Sequence, residues 1–183
     1  MDATKVSTGK PQVAGCLFRA PIGTAVPTDA TTVLPQAYIE LGYVSNDGLT
    51  NSYKMSSESI KAWGGVEVNS QQTEKTDGFK FKLIETLNTN VLKTVYGENH
   101  VSEAEGAIAV HVSYEESVEY VWVVEMLLKG NRKKRIVIPD AKIAEIGDIV
   151  YKDNEVTGYD LSIAAFPDAD GFSHHEYISA ATE

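Results

Sequence analysis

The chain has 183 residues, a formal net charge of -10 and 43% hydrophobic content, which fits one domain with a sizeable core. The acidic balance argues against a protein that grips phosphates through Lys and Arg. No apolar run approaches the roughly 20 residues that a membrane-spanning helix needs, and a single cysteine, Cys16, excludes an intramolecular disulfide. The start, Met1-Asp2-Ala3-Thr4-Lys5, carries no apolar stretch behind a basic residue, so no secretory signal is expected.

In chain order, the first segment is broken by Pro11, Pro21, Pro27 and Pro35 and by Gly9, Gly15 and Gly23, a spacing that prevents a helix. Only Val13 to Ala20 reads as a strand, and Cys16 beside Leu17 and Phe18 reads as a packed thiol. The loop "GTAVPTDATTVLPQ" is longer than connections usually are inside a compact domain. It is expected either to be a flexible surface loop or to order against a partner. "GYVSNDGLTNSYK" then leads into a strand of weak sidedness through "KMSSESIKA", and a second strand follows Gly64-Gly65 with Val66 and Val68. Asp77-Gly78 predicts a hairpin turn. Phe79, Phe81 and Leu83 alternate with polar residues as a half-buried strand.

"TLNTNVLKTVYG" predicts one short α-helix over about residues 88–97, capped by Asn88 or Thr89 and stopped by Gly97. Everything beyond it reads as β: "AIAVHVSYEE", then "SVEYVWVVEMLLK", apolar on both faces and therefore central or facing a neighbouring chain. Gly130-Asn131 turns the chain into "RKKRIVIP", and "AKIAEIGDIVY", "VTGYDLSIAAFP" and "EYISAAT" add further strands. The fold class predicted is mainly β: an antiparallel sandwich or barrel of about eight or nine strands with one flanking helix and long loops.

The residues offer little chemistry. His174-His175-Glu176 would point to opposite faces of a strand, so they do not make a shared metal site. "DADG" from Asp168 opens like a calcium loop, but Phe172, Ser173 and Ser179 occupy positions that need an oxygen ligand, a glycine and a closing glutamate. A turn explains it better. No phosphate loop, nucleophile elbow or Cys/His pairing is present, and no cofactor is expected. Glu115, Glu116, Glu119 and Glu125 leave a paired-acid hydrolase open as an alternative. The basic run Arg132, Lys133, Lys134 and Arg135 lacks the aromatics of a nucleic-acid patch and fits either a strand start or a stripe that meets an acidic surface on another copy.

Several segments together, "TGKPQVAGCLFRAPIGTAVPTDAT", "LGYVSNDGLTNS", "IKAWGG", "FKFKLIETLNTNVLKTVYG" and "GDIVYKDNEVTGYDLSIAAFPDADG", resemble the major tail tube proteins of long-tailed bacteriophages with non-contractile tails. The likeness runs over nearly the whole chain as overall layout, with no catalytic signature. It implies a non-enzymatic virion protein, made in the bacterial host cytoplasm, whose hexameric rings stack into a tube through which DNA leaves the capsid. The implied partners are other copies of the chain and the tail-tip or initiator, tape-measure and tail-terminator proteins, with DNA passing unbound and no membrane insertion. The resemblance frames residues 1–183 as one tail-tube domain, with 1–52 as arm, strand and inter-ring loop and 53–183 as β core, and without an immunoglobulin-like C-terminal domain.

An acidic wall would let DNA slide. The lumen-facing candidates are Glu58, Glu67, Glu74, Glu115, Glu119 and Glu125. Inter-ring or inter-subunit candidates are Phe18, Arg19, Pro21, Pro27, Pro35, Gln71, Lys75, Arg132, Lys133, Lys134 and Arg135. The tube of a contractile tail or secretion device and a monomeric ligand-binding β-barrel stand as alternatives.

Overall fold

A computed structural model describes residues 1–12 and 15–181. The strands are β1 (Lys10–Pro11), β2 (Leu17–Pro21), β3 (Ile39–Glu40), β4 (Val44–Lys61), β5 (Glu67–Leu83), β6 (Val101–Ala104), β7 (Ala107–Val110), β8 (Glu119–Leu128), β9 (Arg132–Ile146), β10 (Tyr159–Ala165) and β11 (His175–Ile178). The helix α1 spans Thr89–Tyr96 between β5 and β6. The predicted strand from Val13 shows as β2 from Leu17 onward, and Val13 and Ala14 lie outside the described residues.

Nine strands form one antiparallel sheet with the path β3-β2-β8-β9-β10-β5-β4, β1 adding to β8 and β11 to β9. β6 and β7 pair separately. The sheet is open, with β3 and β4 at its ends, and it is sandwich-like rather than a closed barrel. It curls strongly: Phe81 on β5 and Trp122 on β8 have ring centroids 5.8 Å apart although β9 and β10 lie between their strands. A flat sheet would hold those strands roughly 14 Å apart.

The larger core lies inside this curl and under α1. Phe79, Phe81, Leu83, Trp122, Ile138, Leu161 and Ile163 come from the sheet, and Val91, Leu92 and Val95 from the helix. Asn88 caps α1 by accepting from the Asn90 N–H at 2.9 Å, and Gly97 ends it at φ 103°. Both positions are those predicted. The second face of β2, β8 and β9 carries a smaller core of Ala20, Val121, Val123 and Val137, covered by Tyr38 with Leu34 beside it. The doubly apolar strand is thus central and closed on its far side by the chain's own loop.

Two turns differ from the sequence expectation. Asp77 and Gly78 are not a turn but lie inside β5, paired with Tyr53 and Ser52 on one side and Ala165 and Ala164 on the other. The turn is at Ala62 to Val66, where Gly64 and Gly65 take φ of 101° and 86° and the Ala62 N–H donates to the Val66 carbonyl at 2.8 Å. Continuous flanking pairs on both edges outweigh the local preference of Asp-Gly. Likewise "RKKRIVIP" and "AKIAEI" are one strand, β9, which passes Pro139 beside a register shift opposite Tyr120 and Trp122. A bulge is where a strand tolerates a residue without an N–H. Residues 111–118, 147–151 and 156–158, expected as parts of strands, carry no strand, and the turn expected at Asp153-Asn154 lies in the same irregular stretch.

Candidate functional site

The most unusual feature is the outer half of the β4–β5 hairpin. From Asn51 to Thr76 every residue is exposed, and the paired strands run roughly 30 Å past the last core-facing pair at about 3.3 Å per residue. An isolated two-stranded hairpin is marginal in water, and this one has no core of its own chain against either face. The register assigns its faces. Lys54, Ser56, Glu58 and Ile60 share one face with Thr76, Glu74, Gln71 and Asn69, while Tyr53, Met55, Ser57, Ser59 and Lys61 share the other with Lys75, Gln72, Ser70 and Glu67. Glu58, Glu74 and Gln71 are therefore together, and Glu67 and Lys75 point away from them. One wall cannot present all three hairpin glutamates.

The hairpin is latched where it leaves the core. Asp77, 6% exposed, accepts hydrogen bonds from Asn51 Nδ2 at 2.7 Å and Ser173 Oγ at 2.6 Å, and His174 Nδ1 lies 2.5 Å from the same carboxylate. Burial opposes ionisation of Asp77, but the bonds from Ser173, His174 and Asn51 outweigh it and hold the carboxyl below its usual range. His174 and His175 do point to different partners, His175 Nε2 lying 3.0 Å from Asp168. The Asp168 carboxylate also accepts from the Phe172 and Asp170 N–H groups, the turn geometry expected of "DADG". Among the described residues no cluster of His, Cys, Asp or Glu could hold a metal ion.

The long loop between β2 and β3 is held in place by Arg135. Its Nη1 and Nη2 donate to the carbonyls of Asp29 and Thr32, each at 2.8 Å, while Nε donates to Glu125 Oε1 at 2.8 Å. The Tyr38 hydroxyl ties the loop to itself through the Ala25 carbonyl at 3.1 Å. Asp29 accepts from Thr31 and Thr32, and those bonds hold its carboxyl far below the ordinary value. Loop carbonyls and a buried carboxylate together satisfy one buried guanidinium, as burial of a charge requires.

Arg19 plays the matching part on the other face. It is 1% exposed, donates to Thr94 Oγ1 at 2.6 Å and to Glu98 at 2.5 Å, and lies over the Tyr120 ring at 4.3 Å, joining β2 to α1. Arg19 and Arg135, expected at contacts between copies, and Glu125, expected to face the lumen, are instead buried and engaged within the chain, because a buried ion needs its partner beside it. Pro27 is buried and Phe18 half-buried, whereas Pro21, Pro35, Gln71, Lys75, Arg132 and Lys133 are exposed. Lys134 is paired with Glu176 at 2.8 Å. Glu58, Glu67, Glu74, Glu115 and Glu119 are exposed, with Glu115 3.6 Å from His100. Cys16 is half-buried and burial pushes its thiol up, as a packed cysteine should be.

The described residues thus form an open antiparallel sheet with a projecting polar hairpin and a loop pinned by Arg135. The profile of the phage tail tube protein family matches residues 11–182, and the chain belongs to that family. It is a structural component of the phage tail. No curated protein matches the chain.

Sequence reasoning missed two features of this surface, the Asp77 latch and the fully exposed Trp63 at the hairpin tip. The first needs residues far apart in sequence. The second had a signal, a tryptophan before Gly-Gly in an otherwise polar stretch.

Proposed function

We propose that the chain assembles as hexameric rings stacked into a tube that conducts genome DNA during delivery to the host. The observation that carries this reading is the exposed β4–β5 hairpin at the open end of the sheet in a member of the tail tube family. The β4 edge has free backbone groups along a strand of 18 residues, which pairing between copies would satisfy. In the tube, the face with Glu58 and Glu74 lines the lumen, and Glu115 and Glu119 extend the acidic wall. The net charge of -10 keeps phosphates from binding the wall. Ring stacking uses the exposed side of the β2–β3 loop, with Pro21, Pro35 and the 87% exposed Val33, together with Arg132 and Lys133. Tail-tip, tape-measure and terminator proteins would start, measure and close such a tube, and residues 1–183 would act as one tail-tube domain.

Negative-stain electron microscopy with sedimentation velocity over a concentration series, with and without tail-tip components, tests the proposal. Rings or hollow tubes with a lumen wide enough for duplex DNA are expected. A chain that stays monomeric with those components present would overturn it.

A further inference from the structure

The charges of this chain are sorted along the β8–β9 ladder. Antiparallel pairing sets Leu128 opposite Arg132 at one end and Glu119 opposite Lys142 at the other. The two ends are roughly 30 Å apart at about 3.3 Å per residue of β8. From Leu127 to Arg135, around the turn at Gly130 and Asn131, there are five Lys or Arg and no acid. The stretches that meet at the other end, His111 to Tyr120 and Asp140 to Asp148, hold six acids and one base, Lys142. A chain of net charge -10 thus keeps five of its 16 Lys and Arg at one turn, with its acids concentrated at the far end of the same two strands.

The inner half of the basic run is engaged within the chain, Lys134 pairing with Glu176 at 2.8 Å and Arg135 with buried Glu125. Carboxylates are therefore the partners this run already takes. Arg132 and Lys133 are exposed, and among the described residues neither makes an ion pair. The turn before them is tight, Gly130 and Asn131 taking φ of 73° and 53°, so the two side chains open β9 directly behind it. At the far end Glu116, Glu145 and Asp148 are exposed. Burial and then the Glu119 charge push the Asp140 carboxyl up, and Lys142 does not offset them.

Surface charges decide which faces meet more than how tightly they hold. Two copies that met by the same end would set Arg132 and Lys133 against their own equivalents, or the carboxylates against theirs, and would repel. A contact between unlike ends joins opposite charges, and its repetition gives an open polar column instead of a closed pair.

We infer that the β8–β9 turn of one copy, through Arg132 and Lys133, seats on the end of a second copy that carries Glu116, Glu145 and Asp148, so that charge sets the direction of ring stacking. This rests on the tube reading above. The occupant is a second copy because its far end supplies the opposite charge. On that reading Pro21 lies at the ring contact, and it pairs with Tyr120 at the acidic end while Arg132 and Lys133 lie at the other.

The test uses three charge-reversed chains, with tail-tip components where these are needed. One carries Arg132→Glu with Lys133→Glu, one carries Glu116→Lys, Glu145→Lys and Asp148→Lys, and the third carries all five changes. Every position is exposed, so urea unfolding of the free chains should match the wild type closely. Sedimentation velocity and negative-stain microscopy then read the concentration needed for assembly. Each single-end variant should need at least about tenfold more protein than the wild type, because attractive pairs become repulsive. An equimolar mixture of the two can alternate along a column with unlike ends in contact. That mixture and the five-change chain should both recover assembly to within about threefold of the wild type. Single-end variants that assemble like the wild type overturn the inference and leave the tube intact. Failure of both the mixture and the five-change chain, with each chain folded, does the same. Absence of any assembly by the wild type overturns the tube reading as well.

Discussion

The middle of β8 and β9 and the outer half of the β4–β5 hairpin use the same antiparallel ladder to opposite ends. In the first, both faces are apolar and both are covered, one by α1 and the curled sheet and the other by Tyr38 and Leu34. In the second, neither face is covered and the side chains are polar. The same ladder thus carries a core in one region and none in the other, and lone hairpins are marginal in water, so the central strands are expected to be the more stable. The contrast also separates tasks. The centre holds the fold through buried Arg135 and Arg19, and the projecting part is free to meet another copy.

The largest expected break in this comparison is Arg135→Ala. It leaves Glu125 buried without its partner and releases the Asp29 and Thr32 carbonyls, and it should cost about 3 to 5 kcal/mol in urea unfolding. Tyr38 and Val123 should lose protection together, since they share the smaller core, while the hairpin tip is unchanged.

Asp77 lies at the junction of the two regions. Because its carboxyl is depressed in the fold, the stabilisation is present above the ordinary carboxylate range and is lost as pH falls through the depressed folded value. Asp77→Asn should cost about 1 to 2 kcal/mol at pH 7 and flatten the fall in the urea midpoint below about pH 4. An unchanged slope would mean that His174 and Ser173 do not hold the hairpin base through this carboxylate.

Glu58→Lys with Glu74→Lys sharpens the contrast from the other side. Stability of the free chain should change by about 0.5 kcal/mol or less, because both residues are exposed. Assembled tubes should remain, and DNA ejection should be impaired. Normal ejection would remove that face from the lumen. The smallest perturbation is hydrogen exchange without mutation, where amides of Tyr53 to Lys61 in the free chain should exchange at least about 100-fold faster than those of Trp122 to Val124.

Much of the local structure was legible in the sequence. The helix, its Asn88 cap and its Gly97 stop depend on neighbours within one turn, and the alternation of Phe79, Phe81 and Leu83 shows which side is buried. The doubly apolar run from Tyr120 to Val124 announced a covered central strand. Asp77-Gly78 was misread because a strong local turn signal loses to backbone pairing on both edges, and both partner strands are distant in sequence. Of the candidate residues, Arg19 and Arg135 at contacts and Glu125 at the lumen looked like any exposed charges. Only the fold brings Arg135 to Glu125 and to the loop carbonyls.

What the sequence determined by itself was the antiparallel β class, the single short helix, the acidic surface and the layout of the tail tube family. The tertiary structure alone decided that Asp77-Gly78 runs on as strand, which charges are buried in pairs and that Trp63 stands free at the end of a polar arm. The physical reason is range: caps, turns and alternation act over a few residues, whereas burial and ion pairing depend on strands that the sheet brings together from across the chain.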